Sequence, residues 1–255
     1  FFFHADAAIR DAQESRGLGD VYKRQVLSRF FASRNFHQDD GAVFISRFLE
    51  NPTDYLSWKD VQKCLNRDDV FWELITDGGN KANIPMYKPY WSPVPCQDKK
   101  TIHDHIQDKK SFIITGYSKV NRNVTKLCSE IERSCDVNAG VHVYGSRGGS
   151  PSFKTHCDNF SNFIIQTVGC TYWQVYKNRH TSLIQTRNDK PLNYDILEID
   201  WEGVLTPGDL LYIPNRAYHQ ARPDEARLSI SIPCAPSVID SNFYDRRYYQ
   251  IQTNN

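Results

Sequence analysis

Residues 154–176 read Lys154-Thr-His-Cys-Asp-Asn-Phe160 and then SNFIIQTVGCTYWQVY, and a second segment, PGDLLYIPNRAYHQ, runs from Pro207 to Gln220. His156, Asp158 and, from the second segment, His219 make a set of two imidazoles and one carboxylate. Such a set holds one face of an octahedral Fe(II) and leaves the other positions open to substrate and oxygen. The His-x-Asp spacing has a physical reason. On an extended strand, residues i and i+2 project from the same side, so His156 and Asp158 reach one ion while Cys157 turns away. The second histidine must then come from a strand distant in sequence but adjacent in a closed β-structure. A His-x-Asp tripeptide by itself is weak, because a strand histidine is more often a hydrogen-bonded core residue; its neighbours carry the rest.

Working outward, the segments around this stretch are short and β-like. Ser111–Thr115, Val141–Tyr144, Phe163–Thr167, Thr171–Tyr176, Ile196–Ile199, Asp209–Ile213 and Leu228–Ile232 are apolar runs separated by Gly, Pro and Asn turns. Strands of this length and rhythm predict an antiparallel sandwich or barrel. Asn123–Cys135 places Val124, Leu127, Cys128 and Ile131 on one helical face. Ser57, with Asp60 three residues on, predicts a capped helix carrying Trp58, Val61, Leu65, Val70 and Phe71. Residues 77–100 hold four prolines among Tyr87, Tyr90 and Trp91 and predict a long ordered loop with aromatic anchors, a lid or a substrate-facing wall. The loop Gly145–Ser150 is no phosphate cradle, lacking the Gly-Lys-Ser/Thr ending and a following helix.

Composition bounds the function. Apolar residues make up 40% and charged residues 24% of 255, an ordinary globular balance. The net charge of +1 offers no electrostatic footprint for nucleic acid or an anionic membrane, and no apolar run is long enough to span a bilayer. Neither nucleic acid nor membrane is therefore expected as a partner. Seven scattered cysteines without a CxxC pair predict reduced thiols and a cytoplasmic protein. The expected organisation is a non-native or disordered tail over 1–25, a helical and loop elaboration over 26–110, a barrel over 111–236 and a short tail over 237–255. Tyr244, Tyr248 and Tyr249 in that tail are a thin basis for expecting a homodimer.

The order strand, helix, strand, glycine loop, HxD, NFIIQ, GxxxW, PGDLLYIP and His resembles the JmjC/cupin-like Fe(II)- and 2-oxoglutarate-dependent oxygenases, the ribosomal oxygenase and asparaginyl hydroxylase group in particular. The resemblance covers Ser111 to Pro236. It implies a mainly β fold, a double-stranded β-helix (jelly-roll, cupin) with flanking α-helices, and makes His156, Asp158 and His219 the iron ligands. It implies 2-oxoglutarate as cosubstrate, released as succinate and CO2 when a C–H bond of a protein, peptide or amino-acid-like substrate is hydroxylated. A carboxylate at position 158 fits hydroxylation; halogenating relatives have a small residue there.

One departure from the family stands out. These relatives place a Lys or Arg fifteen residues after the first histidine, against the C5 carboxylate of the cosubstrate, and here that residue is Thr171. A buried carboxylate without a cation costs several kcal/mol. Arg227 and Ser229 share a strand face after His219, and other 2-oxoglutarate oxygenases use an Arg-x-Ser pair there, so Arg227 is the expected anchor and Lys154 the second candidate. Thr171 and Asn162 are expected to add hydrogen bonds, and Tyr144 to touch the cosubstrate. His103, His105 and His180 read as solvated, and Trp173 as core. The competing functional reading is a cupin-fold metal-binding protein that is catalytically inactive, or an enzyme not using 2-oxoglutarate. The missing cation is its best support.

Overall fold

In the computed structural model, residues 41–76, 79–91, 93–135, 137–180 and 194–236 are described. The expected tail over 1–25 and the tyrosines of 237–255 lie outside them.

The apolar alternation along the strands explains the architecture. Strands β1 (Val43–Ile45), β2 (Phe71–Ile75), β3 (Lys81–Ala82), β6 (Ser111–Thr115), β8 (His142–Ser146), β9 (Ser161–Val168), β12 (Leu210–Ile213) and β14 (Arg227–Pro236) form one sheet in the order β1-β12-β9-β14-β8-β6-β2-β3, with β7 (Val137–Ala139) pairing β14 as well. Strands β11 (Ile199–Leu205), β10 (Thr171–Arg179) and β13 (Ala217–Pro223) form a second sheet with β10 in the middle. All of these pairings are antiparallel.

Successive side chains alternate between sheet faces. On the large sheet the odd-even split is sharp. Phe112, Ile114, Val143, Phe163, Ile165, Leu228, Ile230 and Ile232 belong to one core with Val124, Leu127 and Ile131 of the helix α3 (Arg122–Cys135). Each fully buried Ile or Leu of this kind contributes about 1.5–3 kcal/mol. The opposite face is polar although buried: Ser111, Ser146, Gln166, Arg227, Ser229 and Ser231. Across it, Glu73, Ile113, Tyr144 and Ser229 are register partners in one row. The small sheet contributes Trp173, Val175, Leu205 and Ala217 to a second core with Ile164, Leu211 and Ile213. A buried polar face requires ligands, internal or bound, and it marks where the site lies.

Helix α1 (Trp58–Leu65) has the expected capping box: Ser57 accepts from the Asp60 amide and Asp60 from the Ser57 amide. It ends at Leu65, however. Val70 lies beyond it and Phe71 opens β2, because Asn66 to Asp69 break the periodicity. The expected long loop over 77–100 is also corrected. It carries β3, the pair β4 (Met86–Tyr87) and β5 (Cys96–Gln97), and the start of helix α2 (Lys99–Gln107), capped by Asp98 accepting from Thr101. Tyr90 and Trp91 are exposed at 97% and 68%, so they are not buried anchors among the described residues. The strand expected at Ile196–Ile199 starts only at Ile199, after a 3-10 turn over Tyr194–Ile196.

The turn joining β9 to β10 carries the chain from one sheet to the other at Gly169, whose φ is +66°. A Cβ there would collide with the Ala226 carbonyl oxygen. Gly169→Ala is therefore expected to destabilise the protein by more than ~1 kcal/mol, read as a lower midpoint in urea unfolding.

Candidate metal centre and adjoining cavity

His156 and His219 meet through backbone. The His219 amide donates to the His156 carbonyl at 2.8 Å and the reverse bond is 3.1 Å. This single bridge replaces the regular strand expected at 154–160, which is otherwise bends and coil. The i, i+2 logic still delivers His156 and Asp158 to one side. His156 Nε2 lies 3.9 Å from Asp158 Oδ1 and His219 Nε2 lies 3.7 Å from Asp158 Oδ2. One ligand atom from each of the three residues fits within 4.8 Å of the others.

Each imidazole is aimed by its far nitrogen. His156 Nδ1 donates to the Lys154 carbonyl at 2.8 Å, and His219 Nδ1 donates to the Ala217 carbonyl at 2.9 Å. A carbonyl oxygen only accepts, so both Nδ1 atoms carry the proton and both Nε2 lone pairs point toward Asp158. Backbone partners of this kind orient metal-bound histidines. Burial, and then neighbouring His156, push the His219 pKa below the usual imidazole value, which keeps the ring neutral as a metal ligand requires. Asp158 is held from outside: Asn162 Nδ2 donates to its Oδ2 at 2.7 Å, and Ser231 donates to Asn162 Oδ1 at 3.3 Å. Two imidazoles that present Nε2 and one carboxylate are a donor set that fits Fe(II).

Asn162 thus serves Asp158, and it is absent from the lining of the cavity where it was expected to meet the cosubstrate. Asn162→Ala is expected to weaken metal binding about 10–100-fold, the usual cost of losing an outer partner, measured by Co(II) titration.

The cavity lies between the two sheets and shares the three site residues with Tyr144, Ser152, Phe153, Ile164, Trp173, Ala221, Arg227, Ser229 and Ser231. At its inner end Arg227, 1% exposed, donates from Nη1 to Ser229 Oγ and from Nη2 to Ser152 Oγ, both at 3.2 Å. Its Nε has no partner, and no ion pair with a carboxylate is found for it among the described residues. Burial pushes its pKa down to about 10, against the opposing pull of Tyr144. A buried cation satisfied only by two hydroxyls is costly unless an anion completes it. Tyr144 lines the same space, and burial raises its phenol pKa well above the ordinary value, leaving it a donor.

Ser152 was not foreseen from sequence. It is buried in the loop after Gly149 and bonded to Ser111 Oγ at 2.6 Å, and nothing local marks it, because its partners come from β6 and β14. The remaining expectations divide. Lys154 is exposed, lies outside the lining and contributes its carbonyl alone. Thr171 is buried with an unpartnered Oγ1 but does not line the cavity. Trp173 belongs to the core and also lines the cavity, stacked on His219 at 6.2 Å. His105, expected in solvent, is buried and bonded to the Ser111 carbonyl at 2.9 Å, a consequence of the unforeseen helix α2. A second opening reaches the same His156–Asp158 edge from outside, between Glu73, Ile113 and His142.

Two facing antiparallel sheets with this residue set between them define a cupin-type double-stranded β-helix. Residues 117–240 match the JmjC domain family. It is 30% identical over 119 residues to the bifunctional lysine-specific demethylase and histidyl-hydroxylase NO66 of Dictyostelium discoideum, a match covering 46% of this chain and 23% of that protein. It is 28% identical over 183 residues to ribosomal oxygenase 1 of Danio rerio, covering 69% of this chain and 33% of that one. Among solved structures, the ribosomal oxygenase YcfD of Escherichia coli in complex with cobalt and 2-oxoglutarate superposes with a TM-score of 0.57 at 20% identity, covering 89% of this chain and 57% of that chain. The chain thus spans 23% and 33% of these two curated relatives, and the solved structure shows the shared fold. No described helix is long and apolar enough to cross a membrane.

Proposed function

We propose that this protein is an Fe(II)- and 2-oxoglutarate-dependent oxygenase that hydroxylates a C–H bond of a protein, peptide or amino-acid-like substrate. The observation that carries the reading is the pairing, in one cavity, of a His156/Asp158/His219 donor set with the buried, anion-less cation Arg227. A molecule with a chelating end and a distant carboxylate satisfies both at once. Bound Fe(II) and 2-oxoglutarate would supply oxygen activation coupled to oxidative decarboxylation, yielding succinate and CO2.

The chain's own residues do the positioning. His156, Asp158 and His219 would hold the iron on one face, with one net negative charge from the carboxylate. Arg227 would take the C5 carboxylate, presented by Ser229 and Ser152, which already fix its two terminal nitrogens; an Arg fork suits a carboxylate bidentately. Tyr144 stands beside Arg227 as a neutral donor. Ile164 and Ala221 keep the span between the two ends apolar. The outer opening at Glu73 and His142 leads a substrate side chain to the same edge of the site. The two named relatives act on proteins by their names, which favours a polypeptide substrate here.

Thr171 at the customary cation position favours the competing view of an inactive cupin. Arg227 answers it, because a buried guanidinium has no structural reason to stay unpaired in a dead site. A division into an elaboration over 26–110 and a barrel over 111–236 stays a proposal, and β1, β2 and β3 from the first stretch pair into the large sheet. All seven cysteines are free, which suits a reducing, cytoplasmic setting, and a homodimer stays a proposal. The test is anaerobic mixing of the protein with Fe(II) and 2-oxoglutarate, followed by oxygen. A weak visible charge-transfer band and then succinate are expected; neither appearing at millimolar cosubstrate would sink the assignment.

A further inference from the structure

Among the described residues, two nitrogen donors at the cavity wall are buried without a partner: Arg227 Nε and Trp173 Nε1. The first belongs to the anchor already assigned. The second is unexplained, since Trp173 is 7% exposed and its indole N–H finds neither protein acceptor nor open solvent. Leaving a buried donor unmade is costly, and buried indoles ordinarily find an acceptor. Its placement is also specific. Trp173 sits on β10 two residues beyond Thr171, its strand neighbours in register are Gly203 and Ala221, and its ring stacks on His219 at an interplanar angle of 30°. Gly203 and Ala221 offer no side-chain acceptor, and Trp173 lines the cavity, so a ligand held there can satisfy it.

We infer that the Trp173 indole N–H is a second donor to the cosubstrate carboxylate held by Arg227, taking up part of the work that Thr171 cannot do. The inference rests on the 2-oxoglutarate reading. The carboxylate at the metal end would have the ion's charge. The distant one has a single cation, which already gives one N–H of each terminal nitrogen to Ser229 and Ser152. A carboxylate accepts about four hydrogen bonds, more than the remaining N–H groups of Arg227 supply, and Trp173 Nε1 is an unpartnered donor on a residue lining the same cavity. His219, locked by Ala217 and flanked by the Trp173 ring, ties this wall to the metal end.

Trp173→Phe keeps a stacked ring and removes only the N–H. Binding is measured by calorimetry on Co(II)-loaded protein without oxygen, with 2-oxoglutarate and, in parallel, 2-oxopentanoate, which chelates identically and lacks the far carboxylate. The expected result is a roughly tenfold loss of 2-oxoglutarate affinity in the variant, as for a hydrogen bond to a charged group, no change for 2-oxopentanoate, and unchanged Co(II) affinity. An equal penalty for both ligands, or none for either, overturns the inference and assigns Trp173 to packing alone. Failure of the unsubstituted protein to bind 2-oxoglutarate would instead remove the functional reading on which it rests.

Discussion

Arg227→Met should abolish useful 2-oxoglutarate binding while leaving metal binding intact and the apo fold at least as stable. The two halves of this result have one cause. In the apo protein Arg227 is a cation at 1% exposure, hydrogen-bonded among the described residues to Ser229 and Ser152 and with Nε unsatisfied. Exchanging a buried ion for an apolar side chain of similar volume is often neutral or stabilising by about 1–4 kcal/mol. Bound cosubstrate reverses the balance, because removing one partner of a buried ion pair costs about 3–5 kcal/mol, on the order of a hundredfold or more in affinity. Calorimetry with Co(II)-loaded protein gives the affinity and a thermal melt gives the stability. Retained 2-oxoglutarate affinity would show that the anchor lies elsewhere, and Lys154→Ala, at an exposed position outside the cavity lining, is expected to change neither quantity.

Asp158→Ala should lose the metal without losing the fold. The Asp158 side chain is 42% exposed, so its removal leaves no large cavity. Its measurable structural role is to accept from Asn162 Nδ2 at 2.7 Å. Orphaning that amide costs about 1–3 kcal/mol, an upper bound on the apo destabilisation. The metal loses its single anionic ligand, and the drop in affinity should exceed the roughly 10–100-fold penalty that an outer partner such as Asn162 carries. Co(II) titration followed by absorbance, with circular dichroism as the folding control, separates the two effects. Co(II) bound with undiminished affinity would show that the three side chains do not act as one site.

The metal set was legible because its logic is local and chemical. His156 and Asp158 are two apart, and His219 lies in a segment whose turn and apolar run place it on a strand. The alternation along 111–115, 161–168 and 227–236 likewise announced a β protein, since period-2 patterning survives in the sequence whatever the strand order. Less was legible where a residue's surroundings are assembled from afar. Helix α2 went unseen because prolines earlier in 77–100 masked a start signal at Asp98. His105 was consequently left in solvent, although it bonds to the Ser111 carbonyl of β6.

By itself the sequence determined the fold class, the three candidate ligands and the absence of the customary cation at Thr171, because each rests on residue type and short spacing. Only the tertiary structure decided which cation faces the site. The Arg-x-Ser pattern puts Arg227 ahead of Lys154, and it is the tertiary structure that buries the first beside Ser229 and Ser152 and leaves the second in solvent. The same holds for the Nδ1 bonds that aim both imidazoles and for the orphaned indole of Trp173. Desolvation is the physical reason: the cost of burying a charge or a donor depends on every element packed around it, and strand order across two sheets, not sequence neighbourhood, sets that packing.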